Sequence, residues 1–393
     1  MPQSVAAAEA ALLVSLDFGE ADYADSLEEL RLLAESAGVL VTGVVEGRRS
    51  RPDAAWFAGS GKVQEVADAL LAQPADLVIF NHDLSPAQMR NLTGRLGVRV
   101  IDRTMLILDI FAQRAQSHEG KVQVELAQLR YLSTRLVGMN TDMGQQKHAV
   151  GARGPGETKL ELDRRKLDKR VHLLKQRLDK LKKQRVLQRR SRQRGDVLSV
   201  SIVGYTNAGK STLFNRLTGA GVYAANQLFA TLDTTTRRVC LEARENAESE
   251  QRPEYKESNV VVSDTVGFIR HLPHSLVAAF RSTLEETIHA DLLLHVVDSG
   301  NPHHDLQIEE VNKVLTEIGA ENIPQIIVLN KIDISGLQAG VSRDEYDRID
   351  AIRLSAKTGV GMDVLRAALC EVRDAEPVQT TTLAWHPLDN QTG

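Results

Sequence analysis

The stretch Leu198-Ser199-Val200-Ser201-Ile202-Val203-Gly204-Tyr205-Thr206-Asn207-Ala208-Gly209-Lys210-Ser211-Thr212 decides how this chain is read. Its first half is a short apolar run of the kind buried in a parallel sheet. Its second half matches G-x-x-x-x-G-K-[ST] and opens a helix near Thr212. Glycines in such a loop let backbone N–H groups close around phosphate oxygens at a helix N-terminus, where the dipole favours anions. Lys210 would reach the β- and γ-phosphates, and Ser211 would ligate Mg²⁺. Strand, loop and helix in that order predict a nucleotide-binding α/β domain around this stretch.

Three further strings follow apolar runs in the order such a domain requires. Asp264-Thr265-Val266-Gly267 supplies a carboxylate for the Mg²⁺ shell and, at Gly267, an amide for the γ-phosphate. Asn330-Lys331-Ile332-Asp333 ends in a carboxylate that can accept the N1 and N2 hydrogens of guanine. Adenine offers no such pair, so the string selects GTP over ATP. Ser355-Ala356-Lys357 provides a backbone amide for guanine O6. A switch that orders only around a triphosphate needs a Thr whose hydroxyl meets the metal. Phe229-Ala230-Thr231-Leu232-Asp233-Thr234-Thr235-Thr236 lies in the right interval, but spacing does not choose among its threonines.

Working outward, the 393-residue chain is 42% hydrophobic and 25% charged, ordinary values that exclude disordered and collagen-like classes. Two cysteines, Cys240 and Cys370, do not build a disulfide scaffold and suit a reducing cytosol, so a cytoplasmic protein is expected. No apolar run approaches the length of a membrane span, and the stretch from Ala6 to Leu16 lacks the basic leader of a signal peptide. The formal net charge of −4 averages unequal parts. Between Lys159 and Arg194 sixteen Lys/Arg face four Asp/Glu, a net of +12 in 36 residues, which leaves −16 for the remainder. Such asymmetry points to a polyanion contact by that segment.

The organisation is read as an α/β fold in three parts and a tail. Residues 1–115 alternate short β-prone runs with helical patterns and are expected to form an α/β subdomain with a mostly parallel sheet. Within it, Gly59-Ser60-Gly61-Lys62 lacks the spacing of a phosphate loop and reads as a turn opening a helix. Residues 116–195 carry Val122, Leu126, Leu129, Leu132 and Leu136 on one face, then Leu160, Leu167, Val171, Leu174, Leu178 and Leu181 at heptad spacing. Two antiparallel helices in a short basic coiled coil are expected, the second capped by Thr158 with Glu161. Residues 196–375 form the phosphate-loop domain with a mostly parallel sheet, and the polar stretch from Glu242 to Asn259 is expected to be a hairpin tip or an insertion. Residues 376–393 read as a tail of low order.

Taken with Gly151-Ala152-Arg153-Gly154-Pro155-Gly156-Glu157-Thr158, Ile101-Asp102-Arg103-Thr104, His118-Glu119-Gly120-Lys121, Glu125-Leu126-Ala127-Gln128 and Asp264-Thr265-Val266-Gly267-Phe268-Ile269-Arg270, the chain resembles the HflX GTPase family over nearly its whole length. The resemblance implies an N-terminal subdomain, a helical hairpin and a GTPase domain. It also implies GTP as substrate, Mg²⁺ as cofactor, the large ribosomal subunit and its RNA as partner, and splitting or recycling of stalled or idle 70S ribosomes under stress. It assigns the switch threonine to Thr231, which with Lys210 and Gly267 makes the expected catalytic set. Ser211, Thr231 and Asp264 make the expected metal set. A monomer is expected in solution. The alternative is a nucleotide-gated RNA or ribosome tether in which hydrolysis is incidental. Two features depart from the common pattern: Gly144 to Gly151 carries His148-Ala149 where the family is often glycine-rich, and Phe268 stands where many GTPases have a water-orienting Gln. Asn207 resembles the asparagine that ligates K⁺ in some related GTPases.

Overall fold

A computed structural model of the chain describes residues 9–20, 22–136, 155–193, 197–220, 228–243, 255–270 and 284–374. The first strands are β1 (Ala10–Asp17), β2 (Leu40–Arg48), β3 (Leu77–Phe80) and β4 (Arg99–Asp102), all parallel in a sheet of order β2-β1-β3-β4. Helices α1 (Tyr23–Ser36), α2 (Ser60–Ala72) and α3 (Pro86–Leu96) connect them. Residues 11–16 of β1 and all of β3 are buried, as central strands covered on both faces must be. Gly59 takes φ +81° just before α2, so Gly59-Ser60-Gly61-Lys62 is a helix-opening turn. The start of α3 is strongly specified: Ser85 and Gln88 form a reciprocal capping box, Pro86 occupies the first turn, and Gly97 closes the far end at φ +70°.

Helix α4 (Arg103–Arg114) leaves β4 directly, capped by Asp102, whose Oδ1 accepts from Met105 N–H at 2.9 Å. The fully buried Asp102 also accepts from Tyr131 Oη (2.5 Å) and pairs with Arg135, both on α5 (His118–Leu136). One carboxylate thereby fixes the next helix onto the sheet. Helix α6 (Pro155–Gln193) is 39 residues long, about 58 Å at 1.5 Å per residue. It packs on α5 through Val122, Leu126, Leu174 and Leu178, with Leu129 and Val171 half-buried beside them and Glu125 accepting from Arg170 at 2.6 Å. The helix begins three residues earlier than the expected cap. Thr158 and Glu161 lie inside it, because Pro155 carries a preset helical φ and starts the first turn itself. Gly144 to Gly151 and the tail 376–393 lie outside the described residues.

Beyond them come β5 (Leu198–Gly204), α7 (Lys210–Thr218), β6 (Thr235–Ala243), β7 (Tyr255–Asp264), α8 (Glu285–Ile288), β8 (Leu292–Asp298), α9 (His304–Ile318), β9 (Gln325–Asn330), α10 (Ile332–Ser335), β10 (Gly340–Arg343), β11 (Ile349–Arg353) and α11 (Met362–Asp374). The seven strands lie in the order β10-β11-β9-β8-β5-β7-β6. The five central strands from β11 to β7 are parallel, and β10 and β6 run antiparallel at the edges. Strands β6 and β7 pair antiparallel at the two borders of the polar stretch, and its residues 244–254 lie outside the described residues. The chain passes to one side of β5 and then to the other, so a crevice opens at the C-terminal end of β5, where open α/β sheets bind ligands.

One hydrophobic cluster joins the regions that the sequence separates. Leu30 and Leu33 of α1 and Ile107 and Phe111 of α4 share it with Val203, Phe229, Leu232, Phe268 and Ile269. The crevice at β5 is thus backed by a core to which both the N-terminal sheet layer and the phosphate-loop domain contribute.

Candidate active site

Gly204 ends β5 at φ +142°, and a Cβ there would stand 2.2 Å from the Val296 carbonyl oxygen, so the backbone turns where no side chain fits. Gly209 takes φ +97° under the Asn330 amide, where a Cβ would lie 2.3 Å from Nδ2. Lys210 begins α7, and its buried Nζ donates to the carbonyls of Gly204 (3.0 Å) and Tyr205 (2.6 Å), curling the loop around the ammonium. Burial pushes Lys210 down to about 8, against the pull of Asp264. The loop is zipped to the neighbouring chain: Thr206 N–H donates to the Phe268 carbonyl (2.7 Å) and Phe268 N–H to the Gly204 carbonyl (3.1 Å).

Ser211 Oγ lies 2.7 Å from both Thr231 Oγ1 and Asp264 Oδ2. The three residues of the expected metal set therefore meet at one point. Thr236, an alternative to Thr231 on spacing, faces Ser263 at 3.0 Å instead, and Thr235 pairs in register with Asp264 at the start of β6. Asp264 is fully buried; burial raises its carboxyl above the ordinary range, opposed first by the Ser211 hydrogen bond and then by Lys210. Its Oδ1 and the Thr206 hydroxyl are buried without a hydrogen-bond partner. Such orphaned buried oxygens are costly unless a ligand completes them. Two hydroxyls and a carboxylate are hard donors that fit Mg²⁺, which keeps part of its shell as water and phosphate oxygen.

A cleft of about 60 Å³ lies over this cluster, lined by Thr206, Asn207, Gly209, Lys210, Ser211, Thr212, Phe229, Ala230, Thr231, Thr265 and Gly267. A Cβ on Gly267 would lie 2.9 Å from Lys210 Nζ and 2.8 Å from Thr206 Cγ2, so glycine keeps the cleft open. At its other end Asn330 acts as a tie. Its Nδ2 donates to the Ala208 carbonyl (2.8 Å) and its Oδ1 accepts from Ala356 N–H (2.9 Å), joining the phosphate loop to the Ser355-Ala356-Lys357 turn. Ser355 Oγ donates to Asp333 Oδ1 at 2.6 Å, which orients that exposed carboxylate, while Lys331 Nζ pairs with Asp298 at 2.7 Å. Ile332 is buried beneath, and Arg216 binds the carbonyls of Ala356 (3.1 Å) and Lys357 (2.7 Å).

Some expected contact residues turn elsewhere. Leu232 and Val266 belong to the core. Asp233 directs its carboxylate away from the cleft to the start of α5. Tyr205 leaves the phosphate loop on the opposite side, where its hydroxyl meets Glu29 of α1 at 2.8 and 2.9 Å and accepts from Arg270 N–H at 2.8 Å. Arg103 approaches Glu29 at 3.3 Å and donates to Asn81 Oδ1 at 2.7 Å, while Arg270 pairs with Asp22 and Asp25. No sequence signal marks Glu29, which reaches Tyr205 across 176 residues, and the strings that contain Arg103 and Arg270 do not announce that both converge on it.

The chain is 50% identical to the GTPase HflX of Escherichia coli K12 over 376 residues, covering 95% of this chain and 85% of that protein. The chain belongs to the HflX GTPase family. The HflX protein of Caldanaerobacter subterraneus subsp. tengcongensis is 46% identical, with 92% of this chain and 80% of that protein covered. Family models described as GTP-binding GTPase N-terminal, GTP-binding GTPase Middle Region and 50S ribosome-binding GTPase match residues 24–112, 114–192 and 199–331. A crystal structure of SsGBP in complex with GDP superposes with a TM-score of 0.50 at 25% identity, covering 93% of this chain and 98% of that one. As a member of the HflX family the chain is a GTPase, converting GTP to GDP and phosphate. Its Phe268 is 2% exposed and packed in the core, so a hydrophobic side chain occupies the place from which many GTPases orient water.

Proposed function

We propose that this HflX-family GTPase binds Mg²⁺–GTP in the cleft over Ser211, binds the large ribosomal subunit through its basic hairpin, and splits or recycles 70S ribosomes. The placing of Ser211 Oγ 2.7 Å from both Thr231 and Asp264 carries the nucleotide part of this reading. Lys210 neutralises the β- and γ-phosphates, the Gly267 amide faces the γ-phosphate, and Ser211, Thr231 and Asp264 hold the metal. The metal, when bound, draws charge from the phosphate oxygens. Asp333 reads the guanine N–H pair and a backbone amide of the Ser355-Ala356-Lys357 turn the O6 edge. Because Phe268 cannot orient water, turnover in the free protein is slow and rises when a partner orders the segment bearing Thr231.

The ribosomal part is supported by the description of the model matching residues 199–331 and by the exposed Lys and Arg side chains along α6. A surface of that sign binds an RNA backbone with strong salt dependence. Sedimentation of 70S particles with this protein and GTP, a non-hydrolysable analogue or GDP tests it. A shift to free subunits with both triphosphates is expected, and no shift with either overturns the splitting reading. Asn207, exposed at φ +60° on the rim of the cleft, offers a neutral amide oxygen to a monovalent cation. Faster turnover in K⁺ than in Na⁺ is expected on that reading; equal rates remove it.

A further inference from the structure

The segment that carries Thr231 is held by groups outside the phosphate-loop domain. Leu228 N–H donates to Ser36 Oγ at the end of α1 (2.9 Å). The Phe229 ring stands edge-on against Phe111 of α4, centroids 4.7 Å apart. The Asp233 carboxylate accepts from the backbone N–H groups of Gln116 and Ser117, both at 2.8 Å, and from Ser117 Oγ at 2.5 Å. Ser117 Oγ in turn accepts from Gly120 N–H at 2.8 Å. A Cβ on Gly120 would stand 2.2 Å from Asp233 Oδ1, so the missing side chain is what admits the carboxylate. Ser117 is therefore the N-cap of α5, and Asp233 holds that cap residue from outside by its N–H and its hydroxyl, together with the preceding Gln116 N–H, while placing a negative charge near the positive end of the helix dipole.

Asp233 follows Thr231 by two residues, with the buried Leu232 between them, and Thr231 Oγ1 is 2.7 Å from Ser211 Oγ. We infer that Asp233 is a positioning residue for GTP hydrolysis: by gripping Ser117, the N-cap of α5, it holds Thr231 at the cleft and couples the triphosphate-bound arrangement to the base of the helical hairpin. The inference rests on reading Thr231 as a contact of the metal and γ-phosphate. GDP has no γ-phosphate and needs no such contact, so this grip favours triphosphate selectively. Because coupling is reciprocal, whatever fixes α5 and α6 in place also favours GTP over GDP.

The test uses the full chain and compares affinities for GDP and a slowly hydrolysed GTP analogue in Asp233→Asn, Gly120→Ala and Thr231→Ala. Alanine in place of a helical glycine raises helix propensity, so Gly120→Ala removes the latch without weakening α5 itself. The triphosphate-to-diphosphate affinity ratio is expected to fall about tenfold, within the usual range of coupling factors, in both latch variants, with GDP affinity unchanged. Amides of Gln116 and Ser117 are expected to exchange more slowly with the analogue bound than with GDP. A ratio that falls in Thr231→Ala but not in either latch variant overturns the inference and leaves the site reading standing. Equal losses of both nucleotides in the latch variants also overturn it, since a merely structural contact would do that. A ratio unmoved by Thr231→Ala overturns the site reading and the latch with it.

Discussion

Tyr205→Phe removes one oxygen from the contact between the phosphate loop and α1. The hydroxyl is buried, donates to the Glu29 carboxylate and accepts from Arg270 N–H. Phenylalanine fills nearly the same volume, so no cavity term enters. A hydrogen bond to a charged group contributes about 2 kcal/mol, and a buried amide left without an acceptor costs about 1 kcal/mol more. A loss of about 3 kcal/mol at neutral pH is expected. The loss depends on pH in a definite direction. Burial raises the Glu29 carboxyl above its ordinary range, while Arg103 and then Tyr205 draw it back. Without the hydroxyl it rises further, so between the ordinary and the raised value the folded chain holds a proton that the unfolded chain has lost. Stability then falls as pH rises through that window, and the variant loses more at neutral pH than near about pH 5. Urea unfolding of wild type, Tyr205→Phe, Glu29→Gln and the double variant at both pH values measures this as a double-mutant cycle. A coupling energy below about 0.5 kcal/mol, within the additivity expected of independent sites, or a loss that grows towards acid pH, would refute the reasoning.

Three other outcomes follow from the same geometry. With Lys210 pushed down to about 8 by burial and drawn back up by phosphate charge, nucleotide binding takes up more protons at alkaline than at neutral pH, and affinity falls as pH rises past about 8; calorimetry in buffers of different ionisation enthalpy checks both. Asp333→Asn loses two charge-assisted bonds to guanine, roughly a hundredfold in GTP affinity at about 1.5 kcal/mol each, and gains affinity for xanthosine triphosphate, whose second carbonyl accepts from the new amide; competition binding reads the exchange. Gly204→Ala drives a methyl group to 2.2 Å from a carbonyl oxygen, whereas Gly219→Ala at φ +65° meets open space; the first is expected to abolish folding of the phosphate-loop domain and the second to cost about 1 kcal/mol, as circular dichroism and urea titration would show.

The parts of the site legible in the sequence are those made by contiguous residues. Gly204 to Thr212 must turn and start a helix within nine residues, so its chemistry is written in its order. The strings at Asp264, Asn330 and Ser355 likewise act from strand ends. The sequence alone does not choose among Thr231, Thr234, Thr235 and Thr236, because the choice depends on how the segment packs: Leu232 enters the core beside Phe229, and that leaves the Thr231 hydroxyl towards Ser211. Thr158 misled for a related reason, since a capping pair is legible locally but Pro155 begins the turn first. Tyr205 and Asp233 read as nucleotide contacts because they sit inside nucleotide motifs. Their partners Glu29 and Ser117 lie 176 and 116 residues away, and no local pattern announces a pairing of that range.

Burial separates the two contacts that join the phosphate-loop domain to the rest of the chain. Tyr205, Glu29, Arg103 and Arg270 are all under 9% exposed, and removing one member of a buried charged set leaves the others uncompensated at a cost of several kcal/mol. That contact grips the loop around Lys210, which any nucleotide must engage whatever its phosphate number. It is therefore expected to keep the N-terminal sheet with the phosphate loop in both the GDP and the GTP state. The Asp233 contact reaches solvent at Gln116 and Ser117, where water competes for each bond, and it holds the segment that bears the proposed Thr231 contact. A joint that strong beside one that weak sets which part can move. On the Asp233 inference, loss of the γ-phosphate is expected to release the base of the hairpin while the sheet stays.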